Sequence, residues 1–231
     1  MRRAGESGGV VMKRFIFLCV FLILAAGAVA AERPTDRPSA TYAVLWDRVA
    51  SNDSYSSSGN FKSVGEALQQ MGATITPLTP SQRYSDEVLE GIDLVIIPGR
   101  NGLMLAEEQQ ALVRYVRNGG SLLVLIDWSP QQSSVNPVLT NFGIVITAAR
   151  TGRTKLLAFE NPATTPRRVV TECHISRAYQ INCSAGARGI AGYNAAGPPA
   201  MSEIYAALGA NCGRGRVVAV GDEEIWYSND T

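Results

Sequence analysis

Four short apolar runs predict the strands of a sheet. They are rich in β-branched and aliphatic residues, and each ends at a polar or turn-forming residue. The runs cover residues 41–46, 73–78, 93–99 and 121–127. The third and fourth are apolar almost throughout, which is typical of strands that are covered on both faces.

Two segments between these runs predict helices. The first repeats apolar residues at helical spacing and then stops at a glycine: Phe61, Val64, Leu68, Met71 and Gly72. The second covers residues 105–120 and ends in two glycines. Its first turn carries Glu107 and Glu108 and its last turn Arg114 and Arg117, as the helix dipole favours.

The C-terminal half predicts additions to this core. Residues 136–143 favour helical turns, 144–149 a strand, and 155–194 antiparallel strands and loops. Residues 203–222 favour two strands joined by a glycine-rich turn, although 202–208 is equally compatible with a helical turn. Strands that alternate with helices are typical of parallel sheets. We therefore expect a flavodoxin-like α/β three-layer sandwich with a mostly parallel sheet and antiparallel additions in the C-terminal half.

The start of the chain predicts export. A basic start at 12–14, an apolar run at 15–24 and small residues at 25–31 together indicate a secretory signal peptide over residues 1–31. The apolar run is shorter than the roughly 20 residues of a membrane span, and an uncleaved signal anchor is the alternative. Residues 32–40 predict a linker and 41–231 one domain, in a periplasmic or secreted protein.

Charge and motifs narrow the classes of function. The chain has 21 basic and 20 acidic residues. Four of the basic residues and one of the acidic residues precede residue 32, so the rest of the chain has 17 basic and 19 acidic residues and a net charge near −2. The sequence has no run of basic residues of the kind that favours nucleic-acid binding, so we expect no nucleic-acid partner. The chain contains no glycine-rich nucleotide motif and no paired His or Cys spacing for a metal, so we expect no cofactor and no metal.

Three cysteines follow the predicted signal, an odd number in a compartment that permits disulfides. Cys173 and Cys183 flank a short apolar stretch compatible with neighbouring strands, so we expect a disulfide between them and a free thiol at Cys212. Three buried reduced cysteines are the alternative. His174 lacks a second ligand pair, which favours an ordinary strand or surface histidine over a metal ligand.

Three motifs carry a resemblance to a known family: "DLVIIPGRNG", "EEQQALVRYVRNGGSLLVLIDW" and "GRGRVVAVGDEEIWYSND", in this order. They resemble the class I glutamine-amidotransferase-like superfamily, above all its non-catalytic branch of bacterial domains of unknown function. That branch is related to gliding-motility transport proteins and to an intraflagellar-transport component. The matching residues are Gly119, Gly120, Gly213, Gly215, Gly221, Asp222 and Asn229.

The resemblance implies a domain without amide-transfer activity. A catalytic member places a cysteine between glycines on a strand-to-helix turn and a histidine near the chain end. Here the turn reads Asp127-Trp128-Ser129-Pro130, and the sole histidine is His174. Ser129 has no histidine placed to activate it and is better explained as a turn or helix-capping residue.

Polar and aromatic residues cluster after the predicted strands. The carboxyl ends of parallel strands meet at one edge of a sheet, where ligands usually bind. We expect a ligand or partner rim there, formed by Trp46, Asp47, Arg100, Asn101, Asp127, Trp128, Asp222, Glu223 and Asn229. The carboxylates could instead cap turns or hold a cation, and the tryptophans, with Trp226, could pack on the loops.

These features predict an exported, non-catalytic binding or interaction module of the cell envelope, with an unknown protein or small polar ligand as its partner. Two alternatives stay open. One is a carboxylate- or metal-assisted hydrolase at the same rim. The other is a purely structural envelope subunit, for which an exposed apolar patch away from the rim is expected.

Overall fold

The structure is a computed structural model that describes residues 41–49, 56–126, 129–150, 155–159, 172–175, 178–193 and 203–222, with backbone alone at 129–130, 155–159, 172–175 and 193. The strands are β1 (Tyr42–Asp47), β2 (Ala73–Leu78), β3 (Leu94–Pro98), β4 (Ser121–Leu125), β5 (Ile144–Arg150), β6 (Lys155–Phe159), β7 (Glu172–Ile175), β8 (Tyr179–Cys183), β9 (Arg188–Tyr193), β10 (Glu203–Leu208) and β11 (Arg216–Val220). The α-helices are α1 (Lys62–Gln70), α2 (Asp86–Leu89), α3 (Ala106–Arg117) and α4 (Ser129–Leu139). Within these ranges, none of the helices has the length and apolar character needed to cross a bilayer.

One sheet organises the domain. Its order among the described strands is β2-β1-β3-β4-β11-β10-β9-β6-β7, while β5 and β8 form a separate antiparallel pair. The first five strands are parallel, and counted along the chain they follow the order 2-1-3-4-5 of flavodoxin-like sheets. The other four add on in antiparallel fashion. The predicted flavodoxin-like α/β architecture with antiparallel additions is confirmed.

Two apolar layers enclose the parallel strands. Every residue of β3 and β4 is buried, as the continuous apolar runs predict. Because side chains alternate along a strand, Val95 and Ile97 face the layer that contains α3 and α4, while Leu94 and Ile96 face the layer that contains α1. The described buried residues of both layers lie between Val44 and Val220.

Helix α4 starts earlier than the apolar pattern indicates, because its inward-facing residues are polar. The Asn136 amide donates to the carbonyl oxygen of Ile146 at 2.9 Å and accepts from the Ile146 backbone N–H at 3.0 Å. The Gln132 amide donates to the carbonyl oxygen of Thr147 at 2.5 Å. The side chains of α4 thus satisfy backbone groups of β5 on the edge that faces away from β8, its partner in the two-stranded sheet.

Residues 203–208 form strand β10 and not a helical turn. β10 pairs with β11 on one side and with β9 on the other. The apolar spacing alone left both structures open, and pairing on two sides favours the extended one.

The structure corrects the predicted disulfide, because the thiol of Cys183 is free. Cys173 lies on β7, whose partner in the nine-stranded sheet is β6, whereas Cys183 lies on β8 of the two-stranded sheet. These strands are consecutive in sequence but join different sheets, so the short spacing does not make them neighbouring strands. Burial raises the pKa of the Cys183 and Cys212 thiols, which disfavours the reactive thiolate.

The glycines of the second and third sequence motifs meet where α3 ends and β11 begins. A Cβ on Gly215 would lie 2.0 Å from the carbonyl oxygen of Val116 and 2.2 Å from that of Gly120. The backbone N–H of Arg216 donates to the same Gly120 oxygen at 3.2 Å. Only glycine at 215 allows the two backbones to approach this closely.

We predict that Gly215→Ala lowers the free energy of unfolding by at least about 3 kcal/mol, because the added methyl group meets backbone that cannot move aside. Gly91→Ala is the matched control. Gly91 has a φ of +73° but no neighbour within 4 Å of an added Cβ, so only backbone strain of about 1 kcal/mol is expected. Urea unfolding of both variants measures the difference, and equal losses would contradict the packing described.

Candidate functional site

The site lies where the order of the parallel strands reverses. β1 is flanked by β2 and β3, so the loops after β1 and β3 leave the carboxyl edge side by side. This point of an α/β sheet usually holds a ligand crevice. Here the Arg100 guanidinium fills it, with Nη1 at 2.8 Å from Oδ2 of Asp47. The side chains of Arg100 and Asp47 are only 2% and 1% exposed.

A second carboxylate completes this ion pair. Nη2 of Arg100 lies 3.3 Å from Oε1 of Glu108, whose side chain is 2% exposed. Oε2 of Glu108 accepts from the backbone N–H of Leu105 at 2.9 Å, and so caps the start of α3. Oε1 also accepts from the backbone N–H of Tyr84 at 3.4 Å. Glu108 therefore joins the loops that follow β2 and β3.

Tyr84 supplies the fourth side chain of the cluster. Its hydroxyl donates to Oδ2 of Asp47 at 2.7 Å, and its ring centroid lies 5.6 Å from the guanidinium carbon of Arg100. Tyr84 is 2% exposed. We call Asp47, Tyr84, Arg100 and Glu108 the buried polar quartet.

Hydrogen bonds offset part of the cost of burying these charges. Asp47 accepts from Arg100, from Tyr84 and, through Oδ1, from the backbone N–H of Val49 at 2.6 Å. Burial nevertheless raises the pKa of Asp47 above its ordinary value, with Arg100 the strongest opposing influence. Burial, reinforced by Asp47, also raises the pKa of Tyr84, which keeps the phenol protonated as a donor at neutral pH.

This arrangement holds loops together. The Asp47 carboxylate accepts from three donors within the protein and is 1% exposed. Among the described residues no group of three or more His, Cys, Asp or Glu side chains has the spacing of a metal site. The buried polar quartet acts chiefly as a structural connection beneath the rim.

The quartet fixes the loop at residues 99–105, which we call the rim loop. Nε of Arg100 donates to the carbonyl oxygen of Gly102 at 3.1 Å, and Leu105 is held by Glu108. Met104 is 5% exposed and packs into the core. On either side of it, Leu103 and Leu105 are 72% and 57% exposed. They are the exposed large hydrophobic side chains of the described chain.

The structure places the predicted site residues in three groups. Asp47, Arg100 and Asp222 lie at the predicted edge but are buried, and Asn101 is exposed there. Trp46 is 1% exposed and packs edge-on against Phe61, with ring centroids 5.9 Å apart, so it belongs to the core and not to the rim surface. Outside the described residues lie Asp127, Trp128, Glu223, Trp226 and Asn229.

Sequence reasoning missed four residues of this site: Tyr84, Leu103, Leu105 and Glu108. Glu108 was visible only as one of two acidic residues in a helical first turn. Its position three residues after Leu105 is that of a residue that caps a helix start, which is the signal that could have separated it from Glu107. Tyr84 lies in a loop without a periodic pattern, and only the fold brings it to Asp47.

Comparison with known proteins places the chain in a family. A family profile described as "Domain of unknown function (DUF4350)" matches residues 53–230, most of the chain. The chain belongs to this family. A search among curated proteins finds no match.

Solved structures share the fold at low sequence identity. The "mmIFT52 N-terminal domain" is 17% identical with a TM-score of 0.66, and the match covers 80% of this chain and 88% of that one. A ThuA-like protein from Bacteroides uniformis ATCC 8492 is 11% identical with a TM-score of 0.55, over 82% and 85%. The cold-adapted β-galactosidase from Rahnella sp. R3 is 13% identical with a TM-score of 0.51, over 80% of this chain and 30% of the enzyme. At these identities the likeness concerns the fold alone.

We predict that Arg100→Ala lowers the free energy of unfolding by about 3–5 kcal/mol, because it leaves two buried carboxylates without their cation. Arg114→Ala is the matched control. Arg114 pairs with Asp86 at 2.9 Å, but the two side chains are 51% and 64% exposed, so a loss below about 1 kcal/mol is expected. Chemical unfolding at neutral pH gives both values, and similar losses would show that the quartet does not hold the rim.

The loss caused by Arg100→Ala is also expected to depend on pH. The folded-state pKa of Asp47 is raised above 3.8, so its contribution to stability is fully present below 3.8 and is lost as pH rises through the folded pKa. Arg100 limits this rise, and without it the pKa of Asp47 climbs further. The difference in stability between parent and variant should therefore grow as pH increases from about 4 towards 7. A difference that stays constant over this range would rule out the coupling.

Proposed function

We propose that the protein is an exported, non-catalytic interaction module of the cell envelope that binds a protein partner through its carboxyl-edge rim. One observation carries the proposal: two leucines, 72% and 57% exposed, stand on a loop that a buried ionic network holds from beneath. Exposed apolar groups on a rigid support are typical of binding surfaces.

The fixed shape of the rim loop favours binding. Its backbone is tied at Gly102 by Arg100 and at Leu105 by Glu108, while Met104 anchors it in the core. A loop held in its bound shape loses little conformational entropy when a partner docks. Leu103 and Leu105 then contribute their apolar surface in full, at about 25 cal/mol per Å² removed from water.

The non-catalytic part of the proposal rests on the residues that occupy the crevice and on the sequence of the strand-to-helix turn after β4. Arg100 and its partners fill the crevice where a small substrate would bind in a related fold. The order of the three sequence motifs supports membership of the non-catalytic branch of the class I glutamine-amidotransferase-like superfamily. In that family's nucleophile position this chain has Asp127 and Trp128, which lack the nucleophilic chemistry of a cysteine.

The two alternatives receive less support. A carboxylate-assisted hydrolase needs an accessible carboxylate at the rim, and the described strand-end carboxylates of Asp47 and Asp222 are each 1% exposed. A purely structural subunit is expected to show its apolar patch away from the rim. In the part of the chain that the structure describes, the exposed large hydrophobic residues are on the rim itself.

The test uses the full chain, tagged and produced in its native host, with reversible crosslinking before the envelope fraction is purified. The parent should be found outside the cytoplasm in a discrete complex. Leu103→Asp combined with Leu105→Asp should reduce the recovered complex at least about tenfold, because charged groups replace the apolar contact. The melting temperature should stay unchanged, since both side chains are exposed.

The control is Gln69→Asp combined with Gln70→Asp, which adds the same charge on exposed positions of α1. This variant should form the complex like the parent. Recovery of the parent protein from the cytoplasm would contradict the proposed location. An unchanged complex with aspartate at both rim leucines would contradict the proposed surface.

A further inference from the structure

We propose that the opposite edge of the sheet is a basic face that binds the anionic phospholipid surface of the membrane. The basic face consists of Arg117, Arg188, Arg214 and Arg216. These residues come from three distant parts of the sequence, and the fold brings them together at the amino ends of the parallel strands. The inference rests on the proposed function only for the location in the envelope.

Backbone contacts place three of the arginines side by side. The N–H of Arg214 donates to the carbonyl oxygen of Arg117 at 3.2 Å, which joins the turn before β11 to the end of α3. Nη2 of Arg214 donates to the carbonyl oxygen of Asn118 at 3.0 Å. Arg216 follows as the first residue of β11, opposite Ser121 of β4.

Strand register brings in the fourth arginine. Arg188 is the first residue of β9 and lies opposite Leu208 of β10. Leu208 in turn lies opposite Val218, two residues along β11 from Arg216. Neighbouring strands are about 4.8 Å apart, so Arg188 and Arg216 start within about 12 Å of each other on the same edge.

Three of these charges face water. Arg117, Arg188 and Arg214 are exposed, and none of them forms a salt bridge with a residue that the structure describes. Three described acidic residues lie near this edge. Glu90 is exposed, and the Asp93 carboxylate accepts from the backbone N–H of Ala43 at 2.9 Å. Asp86 pairs with Arg114, one helical turn before Arg117. Positive charge therefore exceeds negative charge on this face of a domain with a slightly negative total.

The chain enters the described domain on the side of the basic face. Val44, Leu94, Ser121 and Arg216 form one row across the sheet, and β1 begins at Tyr42, two residues beyond that row on the side of the basic face. The described chain thus begins at the edge that carries the basic face. The rim loop lies at the other edge, where it stays accessible to a partner.

The test measures binding of the exported protein, purified as its host processes it, to phospholipid vesicles by co-sedimentation. Vesicles with about 30% phosphatidylglycerol are compared with pure phosphatidylcholine at about 50 mM and about 500 mM salt. The parent should prefer the anionic vesicles at low salt. Changing Arg117, Arg188 and Arg214 to glutamine together should weaken this binding about 100-fold, at about fivefold per arginine near an anionic surface.

The matched control removes three basic charges from the opposite edge by changing Lys62, Arg83 and Arg150 to glutamine. It should retain at least half of the parental binding to the anionic vesicles. Equal losses in the two triple variants would show that total charge and not this face decides binding. Equal binding of the parent to both kinds of vesicle would also overturn the proposal.

Inorganic phosphate separates a membrane surface from a discrete anion site. At equal ionic strength, phosphate and chloride should displace the protein from the vesicles to the same extent, because a surface interaction depends on screening. Stronger displacement by phosphate would assign the arginines to a small-anion site and refute the membrane proposal. The arginine variant should still form the rim-dependent complex, so failure here leaves the proposed function of the rim standing.

Discussion

The ion pair between Arg100 and the two carboxylates of Asp47 and Glu108 is the interaction on which the candidate site depends. It joins the end of β1, the loop after β3 and the start of α3 in one contact. Buried charges are tolerated only when each finds a partner, so the loops that supply these partners are constrained together. Tyr84 extends the same constraint to the loop after β2. The rim is therefore built from loops that share one buried connection.

Because of this constraint, protein side chains occupy the crevice in which related folds usually bind a ligand. In many doubly wound sheets the point where the strand order reverses is an open ligand site. Here the guanidinium of Arg100 and the phenol of Tyr84 occupy this point, and the rim loop lies on the surface above them. Met104, between the two leucines, and Arg100, before them, turn inward. Leu103 and Leu105 are left exposed on the rim loop. The opposite edge carries positive charge in place of apolar surface, so the two ends of the sheet are suited to different kinds of contact.

The architecture was predictable because it follows from local patterns. Continuous apolar runs mark β3 and β4 as buried on both faces, and the acidic and basic turns of α3 mark its ends. The side of the sheet on which Trp46 packs was not predictable, since a strand's final residue can face the core or the rim. The prediction of a disulfide was wrong for a related reason, because spacing along the chain says little about which sheet a strand joins.

Contacts between residues far apart in the chain could not be predicted from the sequence. Tyr84 lies 37 residues from Asp47 in the chain, and no periodic pattern links them. The basic face has the same origin: its arginines are scattered from 117 to 216, so no basic stripe is visible in the sequence. Strand order and register alone collect them at one edge. Glu108 was the exception, since its helix-capping position gave a local signal that distinguishes it from Glu107.

Site-specific photo-crosslinking in the intact envelope shows directly whether a partner protein lies against the rim loop. A photoreactive residue in place of Leu103 is compared with one in place of Gln70, which is exposed on α1. A partner-binding rim should give a discrete protein adduct from position 103 and none of that size from position 70. Absence of an adduct at 103, or the same adduct from both positions, would contradict a partner-binding rim.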